Sequence, residues 1–292
     1  MTLLQAILLG IVQGLTEFIP ISSTAHLVLA SRVMSLSLSP EQLTASIAVI
    51  QLGTLVAVIF YFIGDIWNIT LAFIRDHFLL LTKGRRDQFN RTNSHARLSP
   101  EARLGWLIII GSLPIAIVGL LFKKQIEGTF TKNLWVIATM MIVVAMLLAI
   151  AEAVAKQRRR MQELGVKDAL AVGFAQCLAL IPGSSRSGST IMAGLFAGET
   201  RETAARFSFL LSMPAIAASG LLELKQALHT LPHGSTGSLA VGTVVAGIVG
   251  YASIWFLLRY LKTHTTGVFI GYRFIVGLAI LIMLFSGRLA AL

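Results

Sequence analysis

Between Gln13 and His26 the chain QGLTEFIPISSTAH sets an amide, a carboxylate, four hydroxyls and an imidazole into an otherwise apolar run. An ionisable side chain at membrane depth costs roughly 2.5 to 3.5 kcal/mol even on lenient insertion scales, so such a cluster requires a function. Gln13 and Glu17 are four residues apart and project from one helix face. Oxygen ligands on one face suit a hard divalent cation such as Mg²⁺ or Ca²⁺, with Mg²⁺ typically keeping water and phosphate in its shell. The plainer role for Glu17 is a structural acceptor or the partner of a buried arginine. Ser22, Ser23 and Thr24 follow a proline, and His26 lies within helical reach of Ser22 and Ser23. One serine is accounted for as a helix N-cap. The remaining hydroxyls beside an imidazole are candidates for a nucleophile and its base.

A second cluster, PGSSRSGST, spans Pro182 to Thr190. Gly183, Ser184, Ser185, Arg186, Ser187 and Thr190 surround a helix start, where free N–H groups and the positive dipole end favour an anion. Arg186 adds a planar fork that binds phosphate oxygens in pairs. Its structural alternative is a bond to a carbonyl or to Glu17. Together the two clusters point to hydrolysis of a phosphate ester or diphosphate, a reaction governed by positioning and charge neutralisation. Their place in apolar sequence implies a lipid-borne phosphate.

These clusters need elements that bring them together. Residues 3–19 predict an apolar helix broken before Pro20, and 22–34 a short second helix. Spans are expected at 45–63, 104–122 and 133–151, with a moderately apolar interfacial segment at 67–81. The pattern then recurs: a helix at 168–181 broken at Pro182-Gly183, a short helix at 187–198, and spans near 204–224, 239–261 and 268–286. Neither broken unit spans comfortably alone, which predicts two re-entrant hairpins shielded by protein. The expected fold is an all-α polytopic membrane protein of one domain, residues 1–292, with six spanning helices and the two hairpins. Its halves, about 1–155 and 166–290, align with Pro20 on Pro182 and Ser22-Ser23 on Ser184-Ser185. An odd number of crossings in each half predicts an inverted-topology repeat whose breaks meet near the midplane.

The 292 residues are 55% hydrophobic and 13% charged, with a net charge of +11 and a mean hydropathy of +0.80. A soluble domain carries about a quarter charged residues. The basic residues cluster in short loops between spans, which argues for membrane topology and against nucleic acid. Arg85, Arg86, Arg91 and Arg97 in one loop, and Lys156, Arg158, Arg159 and Arg160 in another, place both loops in the cytoplasm. The link holding Lys123, Lys124 and Lys132 and both termini then lie outside. No basic residue precedes Arg32, so a cleaved signal peptide is not expected. The single Cys177 excludes an intramolecular disulfide and a cysteine metal cluster. Gly10 with Gly14, Gly194 with Gly198, and Gly267 with Gly271 have the small-xxx-small spacing of close helix packing.

At QGLTE, PISSTAH and PGSSRSGST the sequence closely resembles the bacterial undecaprenyl-diphosphate phosphatase family, which is linked to bacitracin resistance. The resemblance extends over nearly the whole chain. It implies hydrolysis of undecaprenyl diphosphate to the monophosphate carrier of cell-wall synthesis, with dependence on a divalent cation. Carried onto this chain, Gln13 and Glu17 would bind metal or diphosphate, Ser23 and His26 would be nucleophile and base candidates, and Arg186 the diphosphate clamp. Gln13 is the neutral option where relatives often have glutamate, which shifts the burden to Glu17. The resemblance also implies a homodimer in the bacterial inner membrane with the site open to the periplasm. The nucleophile remains open among Ser23, His26 and a metal-activated water. The rival class is a transporter or flippase of an anionic or lipid-phosphate substrate, since inverted repeats with broken helices serve both.

Overall fold

The computed structural model describes the chain except residues 37, 84–97, 123–131, 231–235 and 292. The basic loop at Arg85, Arg86, Arg91 and Arg97 and the link at Lys123 and Lys124 lie outside the described residues. Eleven α-helices are named here: α1 (Leu3–Phe18), α2 (Ser23–Val33), α3 (Pro40–Tyr61), α4 (Ile63–Lys83), α5 (Pro100–Leu121), α6 (Leu134–Val154), α7 (Val166–Gln176), α8 (Arg186–Phe196), α9 (Arg201–Thr230), α10 (Thr236–Leu261) and α11 (Gly267–Phe285). Among the described residues there is no strand, only an isolated parallel bridge between Arg159 and Glu199. Six of the helices, α3, α5, α6, α9, α10 and α11, are long and apolar enough to cross a membrane.

The expected segment at 67–81 is the C-terminal part of a longer helix, α4, which starts directly after Phe62 ends α3. Trp67, Ile74 and Phe78 are exposed on its outer face. It is tied to α5 by the Asp76 carboxylate, which accepts the Ser99 N–H at 2.8 Å.

The two broken units correspond in length. α2 and α8 each have 11 residues, and α1 is matched by α7 together with a 3₁₀ turn over Cys177–Leu180. The first helix of each unit packs on a spanning helix of the other half, α1 on α10 and α7 on α5. Small residues make this approach close. A Cβ at Gly14 would lie 2.8 Å from Gly250 N and 2.9 Å from Ala246 O. The same expectation fails for Gly271, where a Cβ would meet nothing within 4 Å.

The apolar core joins both halves. Phe18, Phe62 and Phe209 meet edge-on or tilted with centroids 5.3 and 6.3 Å apart, amid Ile191, Leu195 and Ile254. One end of the bundle is held by ion pairs. Arg159, from the basic run expected in a cytoplasmic loop, forks onto Asp168 with two contacts of 2.6 Å. Arg201 pairs with Glu152 and Arg206 with Asp65 at 2.9 Å. Beneath this layer, in the turn between α8 and α9, Glu199 is fully buried and neither carboxylate oxygen has a hydrogen-bond partner. Burial, with the negative Asp168 adding to it, pushes its carboxyl up to about 7.

Candidate active site

Each break is built by a proline and finished by a capping serine. Ile19, before Pro20, is forced extended (φ −68°, ψ 136°) and ends α1. Ser22 then takes φ 79° and its Oγ accepts the Ala25 N–H at 3.5 Å, starting α2. In the second break Ile181 is extended before Pro182, Gly183 takes φ 90°, and Ser185 (φ 68°) caps α8 by accepting the Gly188 N–H at 3.1 Å. Ser22 therefore corresponds to Ser185, one residue further along than the proline-to-proline match expected from the sequence. Gly183 is the extra residue. Its left-handed backbone and a built Cβ that would run into the Ile137 carbonyl leave no room for a side chain. In the corrected register Ser23 corresponds to Arg186, so one half supplies a hydroxyl where the other supplies a guanidinium.

The two breaks meet. Glu17, 6% exposed, accepts Arg186 Nη2 at 2.9 Å on Oε1 and Gln13 Nε2 at 3.0 Å on Oε2. Gln51 Nε2, from α3, reaches Oε1 at 3.4 Å. Two atoms in this group are buried without a partner: Arg186 Nη1, a donor, and Gln13 Oε1, an acceptor. An unsatisfied buried polar atom costs about 1 to 3 kcal/mol, more when charged. Nη1 is thus free to donate and Oε1 free to accept or to ligate a cation.

Arg273, fully buried on α11, holds the breaks from behind. Its Nη1 donates to Pro20 O at 3.3 Å, and its Nη2 to Gly183 O at 3.0 Å and Ser184 O at 3.1 Å. Nε reaches Met141 O at 3.1 Å and Nη2 also reaches Met140 O at 3.2 Å. Sequence reasoning missed both Gln51 and Arg273. The available signal was a lone polar residue inside an apolar span, which by default marks function.

A cavity of about 960 Å³ opens beside the pair. Gln13, Glu17, Gln51, Ser22, Ser23, Thr24, Gly183, Ser185 and Arg186 form its polar end. Its other end is mostly apolar, between Ile115, Ala116 and Leu120 of α5 and Ala215, Ala218 and Leu222 of α9, with Ser112 and Ser219 among them. Among the expected site residues, Ser184, Ser187 and Thr190 stand behind this wall. Ser187 Oγ donates to Ile19 O at 3.3 Å, tying one break to the other, and Thr190 Oγ1 lies 2.6 Å from Ser208 Oγ. Ser184 Oγ is buried and unpartnered. His26 also turns away from the cavity. Its Nδ1 is 2.7 Å from Ser22 O and its Nε2 2.7 Å from Tyr272 OH, and its ring stacks on Tyr272. Since a carbonyl only accepts, Nδ1 carries the proton and Nε2 accepts from the tyrosine.

Ser23, at the first position of α2, lines the cavity, and its Oγ makes no hydrogen bond among the described residues. With Ser22 Oγ engaged at Ala25, the N–H groups of Ser23 and Thr24 lack intrahelical acceptors, the arrangement that makes a helix start suited to an anion. α8 offers the same at its start.

For a divalent cation the donor set fits a site of low protein-ligand count. Gln13 Oε1 is an orphaned buried oxygen next to the Glu17 carboxylate, and one or two protein oxygens with phosphate are what Mg²⁺ commonly takes. Among the described residues no group of three or more His, Cys, Asp or Glu could hold an ion.

Fold and site together define a polytopic helical membrane protein with a polar pocket at two helix breaks, continuous with a mostly apolar slot. The model of the family described as bacitracin resistance protein BacA matches residues 6–279, and the chain belongs to that family. A Syntrophobacter fumaroxidans protein named undecaprenyl-diphosphatase is 50% identical over 287 residues, 98% of each chain. Proteins of the same name from Mycolicibacterium gilvum and Chlorobium phaeobacteroides are 46% and 47% identical over the full length of both chains.

Proposed function

We propose that the protein is a membrane-embedded phosphatase that hydrolyses undecaprenyl diphosphate to undecaprenyl phosphate and inorganic phosphate, recycling the carrier lipid of cell-wall synthesis. The observation that carries this reading is the Glu17–Arg186 contact at 2.9 Å, with Arg186 Nη1 left over beside a cavity polar at one end and apolar at the other. A diphosphate with a hydrocarbon tail matches that division. The names of the relatives point the same way.

In this reading the diphosphate lies across the starts of α2 and α8. Free N–H groups and Arg186 hold its oxygens and spread the charge of the transition state, which is where most of the catalysis arises. Ser23 Oγ attacks the terminal phosphorus, the bond from that phosphorus to the bridging oxygen breaks, and the lipid monophosphate leaves. The hydroxyl proton passes to Glu17, which is released as Arg186 turns toward phosphate. Water then attacks the phosphoserine phosphorus, the bond from phosphorus to Ser23 Oγ breaks as Glu17 returns the proton to Oγ, and inorganic phosphate is released. His26, expected as a base candidate, here fixes the Ser22 carbonyl and hence the start of α2. A divalent cation bound at Gln13 Oε1 and Glu17 would neutralise phosphate charge.

The correspondence of the broken units supports two halves of opposite orientation, with the breaks as re-entrant hairpins in the bacterial inner membrane and the cavity open to the periplasm. The open face at Gly271 leaves space for a second copy in a homodimer. Phosphate release from a polyprenyl diphosphate by detergent-solubilised protein tests the function. Binding of that lipid without release would establish a transporter instead. Near-normal turnover by Ser23→Ala would remove the serine step.

A further inference from the structure

A second pocket, of about 470 Å³, lies at the opposite end of the bundle from the cavity, where α3 ends, α9 begins and α10 ends. Its walls are Tyr61, Trp255 and Leu258, and its cations are Arg206, Arg259 and Lys262. The cations are unequally compensated. Arg206 gives one amino group to both oxygens of Asp65, and Lys262 pairs with Glu202 at 3.3 Å. Arg259 has no carboxylate partner among the described residues and lies 5.8 Å from the Trp255 ring centroid. The pocket thus keeps one uncompensated positive charge beside two further cations with spare donors.

What leads into the pocket identifies the anion. On α10 the side chains of Val244, Ile248, Tyr251 and Trp255 are exposed and succeed one another at helical spacing up to Arg259. From Ile248 to Arg259 the helix rises about 16 Å, close to the hydrocarbon thickness of one leaflet, about 15 Å. Tyr251 and Trp255 at the top of the stripe are the residue types that suit headgroup level, and the cations lie just beyond them on the helix. A free anion would use only the cations. An acyl chain lying on this stripe would bring a phosphodiester to Arg259 and Lys262.

We infer that this pocket is a binding site for an anionic phospholipid of the cytoplasmic leaflet, separate from the substrate cavity. Basic pockets between spanning helices on that side are suited to such headgroups. The full-length protein, purified in detergent and stripped of lipid, would be titrated with phosphatidylglycerol and with phosphatidylcholine of the same acyl chains. Bound lipid would be counted by mass spectrometry of the intact complex. The expected result is a preference of about tenfold or more for phosphatidylglycerol, since each Lys or Arg near a headgroup adds about a factor of five. The exposed pair Arg259→Gln/Lys262→Gln should abolish that preference and leave phosphate release unchanged. Equal binding of the two lipids, or an undiminished preference in the double variant, would overturn the inference. Displacement of phosphatidylglycerol by millimolar inorganic phosphate would make it a free-anion site and also overturn it.

Discussion

Ser22 and Ser185 share one backbone solution in two stretches far apart in the chain: a left-handed φ of 79° and 68°, and a hydroxyl that accepts the N–H three residues on. A non-glycine residue held there costs roughly 1 to 3 kcal/mol. The strain opens both helix starts toward the cavity. Replacing either serine by alanine keeps the strain and loses the cap, so each should cost about 1 kcal/mol in unfolding and lower turnover. Glycine should restore most of the stability, since it relieves the φ. Thermal unfolding of the four single variants, read beside phosphate release, checks the order.

Arg186→Ala should reduce turnover by about 10² to 10³, the usual effect of removing a charge-stabilising donor. It also leaves Glu17 buried without its ion partner, a loss of about 3 to 5 kcal/mol. Adding Glu17→Gln to Arg186→Ala should recover stability without recovering turnover. A double variant as unstable as the single one would contradict the pairing.

Gln13 and Gln51 present the same chemical group to Glu17 from different helices, and only Gln13 keeps a buried free oxygen. Gln13→Ala should raise the cation concentration needed for half-maximal activity by about tenfold. Gln51→Ala should lower turnover with a smaller change in cation requirement. Gln13→Glu adds a carboxylate and should reduce that requirement. Cation titrations of activity separate the three.

Tyr272→Phe removes the hydroxyl that His26 Nε2 accepts. If His26 serves to hold Ser22, turnover should fall less than about threefold and the acid limb of the pH profile should not move. His26→Ala should lower thermal stability and turnover together. A displaced acid limb in Tyr272→Phe would return His26 to the role of base.

Glu199 makes stability pH-dependent with a definite sign. Its folded value is raised, to about 7 from an ordinary 4.5. The folded state therefore binds this proton more tightly than the unfolded chain does. The stabilisation is fully present below about 4.5 and is lost as pH rises through 7. Glu199→Gln should flatten this part of the profile between pH 5 and 8. Thermal unfolding across that window, compared with wild type, is the measurement.

Much of this was legible in the residues. The proline breaks, the serine caps and the charged residues in apolar runs signalled the two helix breaks and the pair of Glu17 with Arg186, because local backbone chemistry and the cost of burying charge act whatever the tertiary context. The register between halves was off by one because Gly183 adds a residue whose effect appears only as a positive φ. Gln51 and Arg273 went unnoticed because each stands alone in an apolar helix, and its partners come from elements far along the chain. His26 illustrates the opposite error: spacing put it within reach of Ser22, but rotation about the helix presents its ring to Tyr272 and not to the cavity.

Arg273 has a consequence for motion. One planar cation donates to carbonyls of Pro20, Gly183 and Ser184, so a single side chain ties the two breaks together. Rocking one half against the other would strand a guanidinium in hydrocarbon with its acceptors pulled away. A machine that swings its cargo between leaflets needs a loose seam at that spot, and here the seam is riveted.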